Sequence, residues 1–277
     1  MPTGERLLQI AARLQARAQP PLPPELVPLR IAGERVGRAQ PMVAHFLAQT
    51  EGFRLKNREL VMVDFGLDAD GRTERLAQAT RALRDAQLLT GWRDERLSVR
   101  ATPGGPVLAA IERAACRPLG IATTAVHLNA YSDDGDVVVA RRSAHKAIDP
   151  GCWDNLVGGR VPHGETLEQA LEREAWEEAG IALDRIEVHR GRTFSLARPV
   201  PEGLQHETIH VYDATLAAAM EPQNQDGEVD AIESRPVADV VDAIERDEFT
   251  LESALVMIES LTRRWGIATT HGLYLYT

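Results

Sequence analysis

No run in this sequence comes near the ~18 consecutive apolar residues that a membrane-spanning helix requires, so no membrane partner is expected. Cysteine is scarce: Cys116 and Cys152 are far apart and form no C-x-x-C pair. That spacing excludes a disulfide framework or a zinc ribbon and makes a reducing, cytoplasmic setting the expectation. Cys152 is expected to be a small packed residue. A basic excess is also lacking, with 31 Lys+Arg against 41 Asp+Glu and a net charge of -10. Nucleic-acid binding needs a basic footprint and is not expected. A phosphorylated substrate is not excluded, because a bound divalent cation reverses the local field of an acidic site. The N-terminus has no apolar signal core: Leu7, Leu8, Ile10, Ala11 and Leu14 are interleaved with Arg6, Arg13 and Arg17, which reads as an amphipathic helix. No internal repeat or low-complexity tract is evident.

What is present is a globular composition, 44% hydrophobic and 26% charged over 277 residues, enough for two modest domains. After the first helix, five prolines between positions 20 and 28 predict an extended linker. Residues 40–50 read as a short helix, 53–56 and 59–65 as a hairpin, 73–89 as a helix and 96–101 as a strand. A Pro-Gly-Gly-Pro turn at 103–106 is then expected to lead into a helix over 107–117. Turn residues at 118–120 place a boundary there. The expected organisation is a helix and linker over 1–29, a small α+β domain over 30–119, and a second domain over 120–277. Within the latter, strands are expected at 123–132 and 137–142, the pair joined at Asp134-Gly135. Further strands are expected at 186–195 and 207–216, with closing helices at 237–246 and 251–265, the last capped by Thr250 and stopped by Gly266. The fold class is α+β.

The informative segment lies between these strands, at 158–181. It reads as a glycine-rich loop, a helix starting at Leu167 behind a Thr166–Gln169 capping box, and a stop at Gly180. Glu174, Glu177 and Glu178 stand at i, i+3 and i+4 and share one face. That face overlaps the apolar stripe of Leu167, Ala170 and Leu171, so three like charges turn toward the protein. Such a cluster repels and loses hydration unless a counter-charge is supplied. Arg173 answers one acid; a hard divalent ion, which takes oxygen ligands, answers the rest.

The segment resembles the Nudix signature, G-x5-E-x7-R-E-U-x-E-E-x-G-U, at every fixed position, with Ala175 the one soft departure where a bulkier aliphatic is commoner. The resemblance implies a Nudix α/β/α sandwich with a mixed sheet, preceded here by the small α+β domain. It implies a pyrophosphatase using Mg2+ (or Mn2+), with metal ligands Glu174, Glu177, Glu178 and the Gly159 carbonyl. Glu165, Arg173 and Gly180 would brace the loop and helix. Glu177 is the expected general base, and Glu228, in a later polar loop, is an additional candidate ligand or base, with Glu207 a weaker one.

Segments outside the box, among them 91–96, 127–131, 140–143, 153–155, 210–213 and 222–229, resemble one branch. It comprises proteins with an extra N-terminal domain, found in plastid Nudix hydrolases and fused to fungal thiamine pyrophosphokinases. The similarity spans about residues 30–265, with Ala130 and Trp153 departing from the usual types. This resemblance implies conversion of thiamine diphosphate, or its oxidised or damaged analogues, to the monophosphate, a form of metabolite repair. Candidate substrate contacts are His127, Asn129 and Tyr131, which alternate onto one strand face. Arg141 or Arg142 is another, since neighbours on a strand point oppositely. Asn155, and Trp92 as a cover over the substrate ring, complete the set. Rival readings are a hydrolase of ADP-ribose, dinucleotides or oxidised nucleotides, a diphosphate isomerase, and a non-catalytic metabolite-sensing module; the intact box acids weigh against the last two. The partner expected is a small-molecule diphosphate, and the chain is expected to act as a monomer or homodimer.

Overall fold

The computed structural model describes residues 2–146 and 148–268. In chain order the elements are α1 (Gly4–Ala18), β1 (Val27–Ile31), β2 (Glu34–Ala39), α2 (Pro41–Leu47), β3 (Phe53–Lys56), β4 (Glu59–Met62), α3 (Ala69–Asp85), β5 (Arg96–Val99), β6 (Ala109–Glu112) and α4 (Cys116–Leu119). They continue as β7 (Thr123–Ser132), β8 (Val137–Arg142), β9 (Trp153–Asp154), β10 (Val157–Arg160), α5 (Leu167–Ala179), β11 (Val188–Val200), β12 (Gly203–Leu216), β13 (Val229–Arg235), α6 (Val237–Glu245) and α7 (Leu251–Arg264).

The first half builds a four-stranded sheet in the order β2-β1-β4-β3 and a separate β5–β6 hairpin. Leu29, Ile31 and Leu60 from the sheet share one core with Leu76 and Leu83 of α3 and Leu97 and Ile111 of the hairpin. The helix expected over 107–117 is corrected here. Residues 109–112 form β6, antiparallel to β5 with Val99 opposite Ala109, and the helical part shrinks to a short turn at 113–115 followed by α4. All four β6 residues are buried, and an apolar run of this length between turns has no periodicity to separate strand from helix. The start of α3 also moves forward, because Asp68 caps it by accepting from the Gly71 amide at 2.8 Å.

The second half is a mixed sheet in the order β11-β12-β7-β8-β13, with β10 joined to β7 and β9 to β8. Its β7–β12 pairing is parallel and the others antiparallel. Alternation along β7 and β8 divides the two faces. Val126, Leu128, Ala130 and Val138 pack against Ala170, Leu171 and Ala175 of α5. Ala125, Tyr131, Val137 and Val139 pack on the opposite side with α6, α7 and α1. Helix α1 therefore contributes to the second core: Leu7, Ile10 and Leu14 are buried there, and Arg6 bridges Asp242 and Glu245 of α6 at 2.5 Å each.

The two halves meet backbone to backbone. A Cβ on Gly203, whose φ is +142°, would lie 2.2 Å from the Arg117 carbonyl; within the first half, one on Gly120 would lie 2.3 Å from that of Arg38. Only glycine permits either approach, which seats the β11–β12 turn against α4 and α4 against β2.

Candidate active site

Helix α5 begins with the full Thr166–Gln169 capping box and ends on Gly180 in the left-handed conformation. Ala170, Leu171, Ala175 and Ala179 pin its inner face to the sheet, and the acids one position round the helix then face an open cleft of about 460 Å3. Glu174, Glu177 and Glu178 all line this cleft, with Gly158 and Gly159 of β10 opposite.

The three carboxylates differ in setting. Glu178 is buried, and its Oε2 accepts from the Gly158 amide at 2.8 Å. Burial, and then the charge of Glu174, push its pKa well above the usual carboxylate range. Burial also raises Glu174, although Arg173 pulls the other way. Glu177 is the open one, its side chain 42% exposed. Arg173 ties the group together: it donates to Glu165 at 3.2 Å, Glu174 at 2.9 Å and Glu177 at 3.0 Å, and reaches the Arg160 carbonyl. Among the described residues no three His, Cys, Asp or Glu side chains already converge on one point. Arg173 draws two of the acids to itself, and Glu178 is turned to an amide.

The donor set nonetheless suits a hard divalent ion. Two desolvated carboxylates face each other with Arg173 paired to Glu174 alone of the two, and the box acids offer oxygen donors, the type a hard divalent ion takes. Gly159 is shaped for the same purpose: a Cβ there would fall 1.9 Å from Glu174 Cδ. Gly159→Ala should therefore displace Glu174 and lower diphosphate turnover about 100-fold, the usual cost of a ~1 Å misplacement. Circular dichroism should stay native; full activity in this variant would show that Glu174 need not lie where it does.

Other residues enter from further away. Lys146 pairs with Glu228 across the cleft mouth. Burial would raise Glu228, but Lys146, with Arg93 and Arg113 behind it, outweighs burial and holds its pKa low. Arg142 lines the cleft and bridges Asp154 at 3.0 Å, whereas Arg141 turns outward to the Gly151 carbonyl and does not line it. His127 reaches the cleft with its Nδ1 2.9 Å from Asn155 Oδ1.

Three expected substrate contacts are corrected. Asn129 and Tyr131 share a side of β7 with His127, and Asn155 meets that side from the segment between β9 and β10, but the side runs beneath α7. Asn129 donates to Asp213, Asn155 donates to Asn129, and the Tyr131 hydroxyl meets Ser260. All three are essentially inaccessible, so they hold His127 and the sheet in place rather than touch a ligand. Trp92 is corrected too: its Nε1 donates to Asp94 at 2.6 Å, Arg84 stacks on its ring, and it lines a separate hollow in the first half. The residues that sequence reasoning missed are Arg93, Arg113, Arg117, Lys146 and Arg160. Three of these belong to the first half, and no local pattern marks them, because only the packing of the two halves brings them to the cleft.

Glu207 is not poised as a ligand. It is buried against Arg160 at 3.1 Å and Thr123 at 3.0 Å. Burial alone would raise its pKa, but Arg160, with His127 and Thr123, prevails and lowers it.

Comparison with known proteins matches two families along the chain. Residues 121–255 match the NUDIX domain family, and residues 8–123 match a domain of unknown function, DUF4743. Nudix hydrolase 20, chloroplastic, of Arabidopsis thaliana is 33% identical over 214 residues, covering 74% of this chain and 56% of that protein. Nudix hydrolase 24, chloroplastic, of the same plant is 34% identical over 200 residues, covering 69% and 54%. An isopentenyl-diphosphate Delta-isomerase of Leifsonia xyli subsp. xyli is 34% identical over 106 residues, covering 36% and 57%. The chain spans just over half the length of the two plant relatives.

Proposed function

From the premise that the chain carries a NUDIX domain behind an N-terminal DUF4743 domain, we propose that it is a divalent-metal-dependent hydrolase of an organic diphosphate. The observation that carries this is the desolvated Glu174–Glu178 pair facing Gly159 in an open cleft. Glu174, Glu177, Glu178 and the Gly159 carbonyl would hold Mg2+ or Mn2+. When bound, the ion supplies Lewis acidity toward the diphosphate oxygens and lowers the pKa of water.

The chain's own groups do the rest. Glu177, the most accessible of the box acids, accepts the proton of the attacking water. Arg142 and Lys146 line the wall where the diphosphate charge would lie, and Glu228 is held by Lys146 at the mouth. Water adds to phosphorus, the bridging P–O bond breaks, and a monophosphate ester and phosphate leave.

For the substrate we propose thiamine diphosphate or its oxidised analogues, on the strength of the segments outside the box that resemble that branch. The test is a panel of thiamine diphosphate, oxothiamine diphosphate, ADP-ribose and a dinucleotide, with products identified. Phosphate and thiamine-type monophosphate should appear in magnesium and disappear in EDTA. Turnover of ADP-ribose with none of the thiamine esters would overturn the substrate assignment; no turnover of any compound would overturn the hydrolase.

A further inference from the structure

Beside the acidic cleft lies a second cavity of about 470 Å3, between the two halves of the molecule, a size typical of small-molecule sites. It is the more apolar of the two. Met42 and Val43 of α2, Leu88, Cys116 of α4, Ile121 and Leu204 of β12 contribute to its wall. Polar edges come from Gln40, Gln87, Gln205 and His206. Burial, and then Arg38, lower the pKa of His206, so it faces the cavity as a neutral hydrogen-bonding ring.

The two cavities adjoin. Arg93, Arg113, Arg117 and Arg160 line both of them. Arg113 is matched by Glu95 at 2.6 Å and Arg160 by Glu207 at 3.1 Å. Arg117 is not matched in this way: Glu202 stands 3.6 Å away, and the buried Arg117 Nε has no hydrogen-bond partner. Leaving such a donor unmade costs about 1–3 kcal/mol; the guanidinium charge itself lines both cavities, where an anion would complement it. Burial, and then the facing charge of Arg160, lower the Arg117 pKa, outweighing Glu202, Glu207 and Glu252, which pull the other way.

We infer that the inter-domain cavity is the subsite for the ring-bearing organic group of the diphosphate ester, with the ester's phosphates passing over Arg117 and Arg93 into the acidic cleft. The N-terminal domain is then part of the substrate site and sets which organic group is accepted. The inference rests on the diphosphate-hydrolase reading for the direction of the substrate, but not on the identity of the ring. An apolar wall edged with amides and a neutral imidazole fits a heterocycle with polar edges.

The test uses ligands that cannot be cleaved: the methylene-bridged analogues of thiamine diphosphate and of ADP, and methylenediphosphonate alone. Met42→Trp and Thr90→Trp change exposed residues at the cavity rim on separate segments, so both should fold. The wild-type protein should bind at least one ring-bearing analogue about 10-fold more tightly than methylenediphosphonate, a difference of ~1.4 kcal/mol. Each variant should lose most of that preference while binding methylenediphosphonate as the wild type does. Absence of any preference in the wild type, unchanged preference in both variants, or an equal loss for all three ligands would overturn the subsite. Failure of hydrolysis in the substrate panel would remove the proposed reaction without altering these binding ratios.

Discussion

In Glu178→Gln, diphosphate turnover falls by about 10^3-fold, equivalent to ~4 kcal/mol of lost barrier lowering, while the metal-free protein becomes harder to unfold. The two effects share one cause. Glu178 is buried beside Glu174, and among the described residues the one hydrogen bond it accepts comes from the Gly158 amide. As a carboxylate it is destabilising until a cation arrives. Gln keeps the shape and can still accept from that amide through its carbonyl oxygen, but brings no charge to hold a metal. A thermal-unfolding series in EDTA and in magnesium separates the two effects: the variant should melt above the wild type in EDTA and gain less from magnesium. Glu177→Gln makes the contrast. Its side chain is half-exposed and paired with Arg173, so turnover should drop with little change of stability in EDTA, surface pairs being worth ~0–1 kcal/mol. Unchanged turnover in both variants would remove these acids from the reaction.

The same residues show what was legible in the sequence and what was not. Spacing alone put Glu174, Glu177 and Glu178 on one inward face, because a helix of fixed pitch between two strong caps leaves no freedom in where side chains point. The alternation of His127, Asn129 and Tyr131 was equally readable, and they do share a side of β7. What alternation cannot give is which helix covers that side. Helix α7 lies over Asn129 and Tyr131, through Asp213 and Ser260, and only His127 reaches the cleft. For β6 the failure was of another kind: Leu108, Ala109, Ala110 and Ile111 form an apolar run whose pairing with β5 is decided by a partner strand, not by their own pattern. The arginines from the first half are the extreme case. Arg93, Arg113 and Arg117 look like surface charges on an unrelated domain, and only the glycine-mediated contact of the halves turns them toward the acids.

The Arg160–Glu207 pair stands at that contact, and breaking it should be the most costly single change to stability. Glu207 is only 6% exposed and Arg160 19% exposed, at 3.1 Å. Glu207→Gln leaves a buried guanidinium without its charge, a situation that typically costs about 3–5 kcal/mol. Removing both charges, as in Arg160→Met with Glu207→Leu, should cost much less, because no uncompensated ion remains. Urea unfolding of Arg160→Met, Glu207→Leu and the double variant gives the coupling directly. The pH dependence carries the same sign. Arg160 lowers the Glu207 pKa in the folded state, so the folded chain binds fewer protons there than the unfolded one. The stabilisation is therefore fully present above the unfolded Glu pKa of about 4.3, and is lost as pH falls through the lower folded value. The stability gap between wild type and Glu207→Gln should accordingly be constant near neutrality and narrow in acid. If Glu207 served instead as a metal ligand, Glu207→Gln would lower the magnesium-dependent gain in melting temperature and leave stability in EDTA nearly intact. A large loss of stability in EDTA, relieved in the double variant, assigns Glu207 to holding the junction.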